Sequence, residues 1–199
     1  MNSQRLDRQL QFLLEIDRLK QVERQTSIVG GHRRENTAEH SWHLAMYALV
    51  LREWSNVDVD LSHVLALCLV HDIVEIDAGD TFAYDVAAHV DKEERERRAA
   101  DRLFGILPED QGAYLRELWD EYEAQETPES RFANAVDRMQ PAMLNHHAGE
   151  NSPWRRHGVS RPQAMRRLSP IGDGSHVLWE HTQQIIAEAV ERGNLVDEM

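Results

Sequence analysis

A chain of 199 residues with 41% hydrophobic and 29% charged side chains has the make-up of a folded globular protein, long enough for one domain with a substantial core. A net charge of −13 disfavours a nucleic-acid polymer or an anionic membrane surface as partner, since both recruit proteins through a basic field, but it leaves room for a small phosphorylated substrate held by a few arginines. The single cysteine, Cys68, lies inside an apolar run and rules out an intrachain disulfide or a Cys-rich zinc site, and with no signal-peptide core in the first 20 residues and no membrane-length apolar run, a cytoplasmic protein is expected.

From Arg5, leucines 6, 10, 13 and 14 recur at helical steps and predict an amphipathic first helix, which Gly30-Gly31 ends. Those two glycines lack the Lys-Ser/Thr of a phosphate-binding loop and read as a turn. On local sequence alone, Arg24 reads as a solvated charge. Asn36 with Glu39 has the spacing of a capping box, so a second helix should start near Thr37 and carry His40, His43 and Tyr47 on one face. Asp60 can cap a central helix that runs through the apolar stretch Val64–Val70 to Ile76, followed by a turn at Asp77, Gly79 and Asp80.

Residues 82–90 read as loop, and Asp91–Leu107 as a helix whose Glu93–Arg98 run is a solvated face. Pro108 opens a further helix through Tyr122, and Thr127-Pro128 starts one that carries Asp137 on its apolar side and is expected to kink at Pro141. After a loop at 151–158, Ser160 with Gln163 repeats the capping-box pattern, and a last helix spans about Ser175 to Arg192 with Gly193 as its stop. No repeat or linker interrupts this, so the expected fold class is all-α, a single-domain helical bundle over 1–199, with a core at about 5–147 and C-terminal loop and helices at about 148–193.

The stretch Val64–Glu75 is chemically odd, because an apolar run ends in His71, Asp72 and, one turn later, Glu75. Buried carboxylates need a partner or a metal. On a continuous helix His71 and Glu75 would share a face, and four carboxylates between Asp72 and Asp80 would repel one another unless a cation relieved them. Singly, His40 or Asp137 reads as an ordinary hydrogen-bonded core residue. Together, His40, His71, Asp72 and Asp137 supply two imidazoles and two carboxylates from three helices converging on one core. His43 is expected as a neighbour or a packed side chain, His146-His147 as structural or exposed, and Trp42, Trp54, Trp119 and Trp179 as core or interface.

The order His, His-Asp, Asp resembles the HD-domain phosphohydrolases. Asn36-Thr37-Ala38-Glu39-His40-Ser41, Val70–Glu75, Gly79-Asp80 and Ala135-Val136-Asp137-Arg138 are similar to the motifs of the branch that contains 5′-deoxynucleotidases, over about Leu10 to Asn145. The resemblance implies that His40, His71, Asp72 and Asp137 are the ligands of one divalent metal ion, a mixed nitrogen and oxygen site that suits Mn²⁺, Co²⁺, Fe²⁺, Zn²⁺ or Mg²⁺, that Glu75 and Asp80 are acidic active-site residues, and that Arg24 contacts the substrate phosphate. Arg33 is a further candidate for that contact, as is Arg34. Some nucleotidases of the branch have tryptophan after that arginine, where this chain has Gln25, which leaves the sugar preference open.

The implied reaction is attack by metal-bound water on a nucleoside or deoxynucleoside 5′-monophosphate, with Glu75 and Asp80 sharing water orientation and proton transfer. A homodimer is implied too. The alternatives are a phosphodiesterase, a hydrolase of another phosphorylated metabolite, and a metal-bound nucleotide sensor without turnover, since pocket shape decides among them.

Overall fold

The computed structural model describes residues 2–85 and 87–197. Its elements in chain order are α1 (Asn2–Ile16), β1 (Glu23–Ser27), β2 (Arg34–Asn36), α2 (Thr37–Leu51), α3 (Leu61–Val70), α4 (Glu75–Ala78), α5 (Lys92–Phe104), α6 (Glu109–Ala124), α7 (Pro128–His147), α8 (Pro153–Arg156), α9 (Arg161–Leu168), α10 (Ile171–Gly174) and α11 (His176–Glu191). The class is all-α, as expected. Buried side chains from Phe12 to Leu195 join one continuous core.

The capping residues act where the sequence places them. Asn36 accepts from the Glu39 N–H while the Glu39 carboxylate accepts from the Asn36 N–H, which starts α2 at Thr37. Asp60 caps α3 by accepting from Ser62 and His63 N–H groups, and Thr127 and Ser160 start α7 and α9. Helix α7 sits at the centre, packed on α2, α3, α6, α10 and α11, and it runs from Pro128 to His147 through Pro141. Gly174 lets α10 lie against α7, because a Cβ there would stand 2.3 Å from the Arg131 carbonyl oxygen.

Three local expectations are corrected. First, residues 23–36 form an antiparallel hairpin around Gly30 and Gly31, which adopt φ of 87° and 69°. Its strand Glu23–Ser27 is polar throughout and has none of the apolar alternation that marks a strand.

Second, the central helix ends at Val70 instead of Ile76. The Cys68 carbonyl, next acceptor in the helical ladder, accepts instead from His71 Nδ1 at 2.9 Å. Beyond it the backbone closes tighter turns, with Ile73 N–H donating to Val70 O and Glu75 N–H to Asp72 O.

Third, the leucine stripe of α1 points outward. Phe12 is buried, and Arg5, Arg8 and Gln9 dock the helix through Asp110, the carbonyls of residues 105–107 and Gln111, whereas Leu6, Leu10, Leu13 and Leu14 are exposed, Leu14 at 76%.

Candidate functional site

Four elements converge on one end of α3. The His71–Val74 turn presents His71 and Asp72, α2 presents His40, α7 presents Asp137, and β1 brings Arg24 across them. Ligand atoms of His40, His71 and Asp72 lie within 4.8 Å of one another. Asp137 Oδ1 stands 3.0 Å from His40 Nε2 and 3.8 Å from His71 Nε2, so all four expected ligands meet.

The tautomers follow from partners that have no choice. Glu35 Oε1 can only accept, so the Gln140 amide donates to it through Nε2 at 2.8 Å and turns its oxygen toward His40. His40 Nδ1 therefore donates to Gln140 Oε1 at 3.1 Å, and Nε2 is the nitrogen that faces Asp137 Oδ1, at 3.0 Å. His71 Nδ1 donates to the Cys68 carbonyl, so Nε2 is the nitrogen that faces the cluster. That Nε2 is buried without a hydrogen-bond partner; Asp72 Oδ1 is 3.1 Å away but out of line. Two imidazole Nε2 atoms facing carboxylate oxygens in a buried pocket need a cation between them, and the partnerless His71 Nε2 is the observation that fits a metal to the residues present.

Charge at the site is correspondingly perturbed. Although burial opposes it, the Asp72 carboxylate, and then Asp137, holds the His71 imidazole up at about 9. Burial likewise opposes ionisation of Asp72 and Asp137, yet His71 and Arg24 keep Asp72 well below the usual carboxylate range, and His40 and His71 do so for Asp137. Burial first and Asp72 second push the Glu75 carboxyl well above its usual range, and burial raises Asp80 in the same direction.

Arg24 is buried, not solvated. Its guanidinium donates to Asp72 Oδ2 at 2.9 Å and lies 3.8 Å from both Asp80 Oδ1 and Glu35 Oε2. Thr37 Oγ1 donates to Glu75 Oε2 at 2.8 Å.

Of the four carboxylates between Asp72 and Asp80, only three face the site. Asp77 turns outward to a bidentate pair with Arg102, which leaves a smaller repulsion to offset than the sequence implies. Arg33 does not reach the site either. It is exposed and held by both oxygens of Glu39, at 2.7 and 2.8 Å, because the hairpin turn carries it to the outer side of the α2 N-terminus. His43 contacts Gln140 and packs on Trp42 and Tyr47.

The residues that orient the cluster escaped the sequence reading. Gln140 and Glu35 aim His40, Tyr122 donates its hydroxyl to Asp137 Oδ2 at 3.0 Å, and Thr37 holds Glu75. A signal existed for Gln140, which lies one helical turn after Asp137 on the same face. Gln140→Leu is expected to weaken Mn²⁺ or Co²⁺ binding by roughly 10- to 100-fold in a chelator competition, because outer partners fix ring orientation. An affinity within about threefold of wild type would show that Gln140 does not orient the ligand.

The cluster opens into a cavity of 330 Å³, within the range of small-molecule sites. Its walls include Gln25, Tyr84, Lys92, Arg138, Trp154 and Arg167. Gln25 Oε1 is buried there with no partner. Burial, then the neighbouring Arg167, pulls the Arg138 guanidinium down to about 10.

Comparison with known proteins places this geometry. The 5′-deoxynucleotidase HDDC2 of Homo sapiens is 33% identical over 132 residues, 66% of this chain and 63% of the human protein, so the chain spans less than two thirds of that relative's length. The Danio rerio protein of the same name is 28% identical over 142 residues, 71% of this chain and 70% of its own. A crystal structure described as a predicted metal-dependent phosphohydrolase, from Magnetospirillum magnetotacticum MS-1, superposes with a TM-score of 0.91 at 48% identity and covers 96% of both chains. The HD domain pattern matches residues 16–179, which takes in every ligand candidate and runs past residue 147 into the C-terminal helices. With its histidines, His-Asp pair and distal aspartate gathered at one buried centre, the chain belongs to the HD domain family.

Proposed function

We propose that this protein is a divalent-metal-dependent phosphohydrolase that releases phosphate from nucleoside or deoxynucleoside 5′-monophosphates. The observation that carries the reading is the pair of imidazole Nε2 atoms facing Asp72 and Asp137, with two further carboxyls and a buried arginine in the same cavity. The names of the relatives support the substrate class.

His40, His71, Asp72 and Asp137 would hold one ion. When bound, such an ion lowers the pKa of a ligated water from 15.7 towards about 7 and polarises a phosphoryl oxygen. The other side chains supply the rest. Arg24, nearly enclosed by carboxylates, is positioned to exchange part of its contact with Asp72 for a phosphate oxygen and to offset its charge. Hydrolysis forms one P–O bond to water and breaks the P–O bond to the sugar, whose oxygen needs a proton. Glu75, held by Thr37 in a site that favours its protonated form, is placed to give that proton, with Asp80 taking the one released by water.

Gln25 Oε1 offers an unpaired acceptor that suits a sugar hydroxyl, so ribonucleotides should be turned over beside deoxynucleotides. The test is phosphate release from ribo- and deoxyribonucleoside 5′- and 3′-monophosphates by metal-stripped protein reconstituted with Mn²⁺, Co²⁺, Zn²⁺ or Mg²⁺. The expected outcome is metal-dependent release from 5′-monophosphates, with ribo and deoxy rates within about tenfold. Release from bis(p-nitrophenyl) phosphate alone would favour a diesterase, and metal binding without any release would favour a sensor.

The same proposal includes a cytoplasmic homodimer built as one domain. No helix among the described residues is long and apolar enough to cross a membrane. The dimer draws its support from the exposed apolar faces of α1, with Leu10 and Leu14, and of α2, with Trp42 at 65% and Val50 at 64% exposure.

A further inference from the structure

The cavity holds a second concentration of positive charge that the hydrolysis of a simple monophosphate does not use. Arg138 follows Asp137 on α7 but projects about 100° round the helix from it. It is anchored, with Nε donating to Asn134 Oδ1 at 2.6 Å and Nη1 to the Arg167 carbonyl at 2.7 Å, which ties α7 to the C-terminal end of α9. Its remaining nitrogen, Nη2, has no protein partner among the described residues. Arg167 lines the same cavity, and its guanidinium makes no hydrogen bond or ion pair to any described residue.

Neither arginine has a carboxylate within 4.0 Å among the described residues, although the chain carries 35 acidic residues and three of the four other half-buried arginines, Arg24, Arg95 and Arg116, find one. Tyr84 adds a hydroxyl. It accepts from Trp154 Nε1 at 3.1 Å, and its own proton is free to donate to an anion in the cavity. Two like charges held together, partly desolvated and without a counter-ion, are unfavourable unless an anion completes them. The three side chains present donors and no acceptor other than the phenol oxygen, so a neutral base edge would satisfy them less well than an oxyanion.

We propose that Arg138, Arg167 and Tyr84 form a second oxyanion site in the substrate cavity, so that the preferred substrate is a phosphomonoester with another anionic group remote from the phosphate that is released. For a nucleotide this is a nucleoside 3′,5′-bisphosphate; for a smaller ester it is a carboxylate. The inference rests on the hydrolase reading for what is cleaved, but not for what is bound.

The test pairs ligands that differ by one anionic group. Calorimetry on metal-stripped protein, where turnover is absent, compares adenosine 3′,5′-bisphosphate with adenosine 5′-monophosphate, and 3-phosphoglycerate with glycerol 3-phosphate. Initial rates on the Mn²⁺-loaded protein follow for the same four compounds. The member with the second anionic group in at least one pair should bind at least tenfold tighter and show a correspondingly lower KM, and the pair that shows it identifies phosphate or carboxylate as the second anion. In Arg167→Met that ratio should fall below threefold.

Arg167 is the clean position, since its side chain anchors nothing; Arg138→Met should act in the same direction but also loosens α9. Equal affinity within both pairs, or an advantage that survives Arg167→Met, would overturn the proposal. A binding advantage without phosphate release from any compound would sink the hydrolase reading and leave the anion site standing. Release from monophosphates with no advantage for the second charge would do the reverse.

Discussion

Asp72→Ala is expected to reduce phosphate release by about 10³-fold or more, the several kcal/mol that a bound ion contributes to the transition state. Asp72 is placed to do two things at once. Its Oδ1 stands 3.1 Å from His71 Nε2 inside the ligand cluster, and its Oδ2 accepts from Arg24 at 2.9 Å. Alanine removes a ligand and frees Arg24 to turn toward Asp80 and Glu35, which already lie 3.8 Å away. Metal content should therefore fall with activity, and measuring both on the same preparation checks the assignment. Full metal occupancy with activity lost would mean that Asp72 serves chiefly to orient Arg24. Asp72→Asn keeps the volume and separates the effect of charge from that of packing.

Glu75→Gln should lower kcat by about 10²- to 10⁴-fold while metal binding stays near wild type, the range expected for loss of a positioned proton donor. The amide retains the hydrogen bond from Thr37 Oγ1, now 2.8 Å from Glu75 Oε2, so the loss reports proton transfer rather than collapse of the site. The sign of the pH effect follows from the direction of the shift. Burial and Asp72 raise the Glu75 carboxyl, so the donor is present at lower pH and is lost as pH rises through its shifted value. Wild-type activity should show that alkaline limb, and Glu75→Gln should not. If Asp80→Asn removes the alkaline limb and Glu75→Gln leaves it, the roles of donor and acceptor are reversed.

The outward leucines of α1 show how periodicity can be right about an element and wrong about its facing. The spacing of Leu6, Leu10, Leu13 and Leu14 does make an amphipathic helix. Arg8 decides which side docks, because its guanidinium donates to the carbonyls of Gly105, Ile106 and Leu107 that close the end of α5. Those orphan carbonyls need donors, and a charged side chain meets that need better than a leucine. The apolar stripe is left for another surface.

Arg24 and Arg33 make the same point for the site. Both lie in one polar stretch nine residues apart, and nothing local separates them. The hairpin folds Arg24 inward over Asp72 and sends Arg33 out to Glu39. Strand Glu23–Ser27 shows no apolar alternation because one side of it covers a polar site instead of the core.

By itself the sequence determined the helical class, most helix starts, the buried central stretch and the four ligand candidates. Each of these depends on residues close together in the chain: a cap and its third neighbour, an apolar run, a histidine beside an aspartate. The tertiary structure alone decided that His40 turns Nε2 to the cluster, that Gln140, Glu35, Tyr122 and Thr37 orient the side chains there, and that Arg24, Arg138 and Arg167 share one cavity. Those facts depend mostly on residues 15 to about 140 positions apart, which only the packing of α2, α3, α7 and α9 brings together.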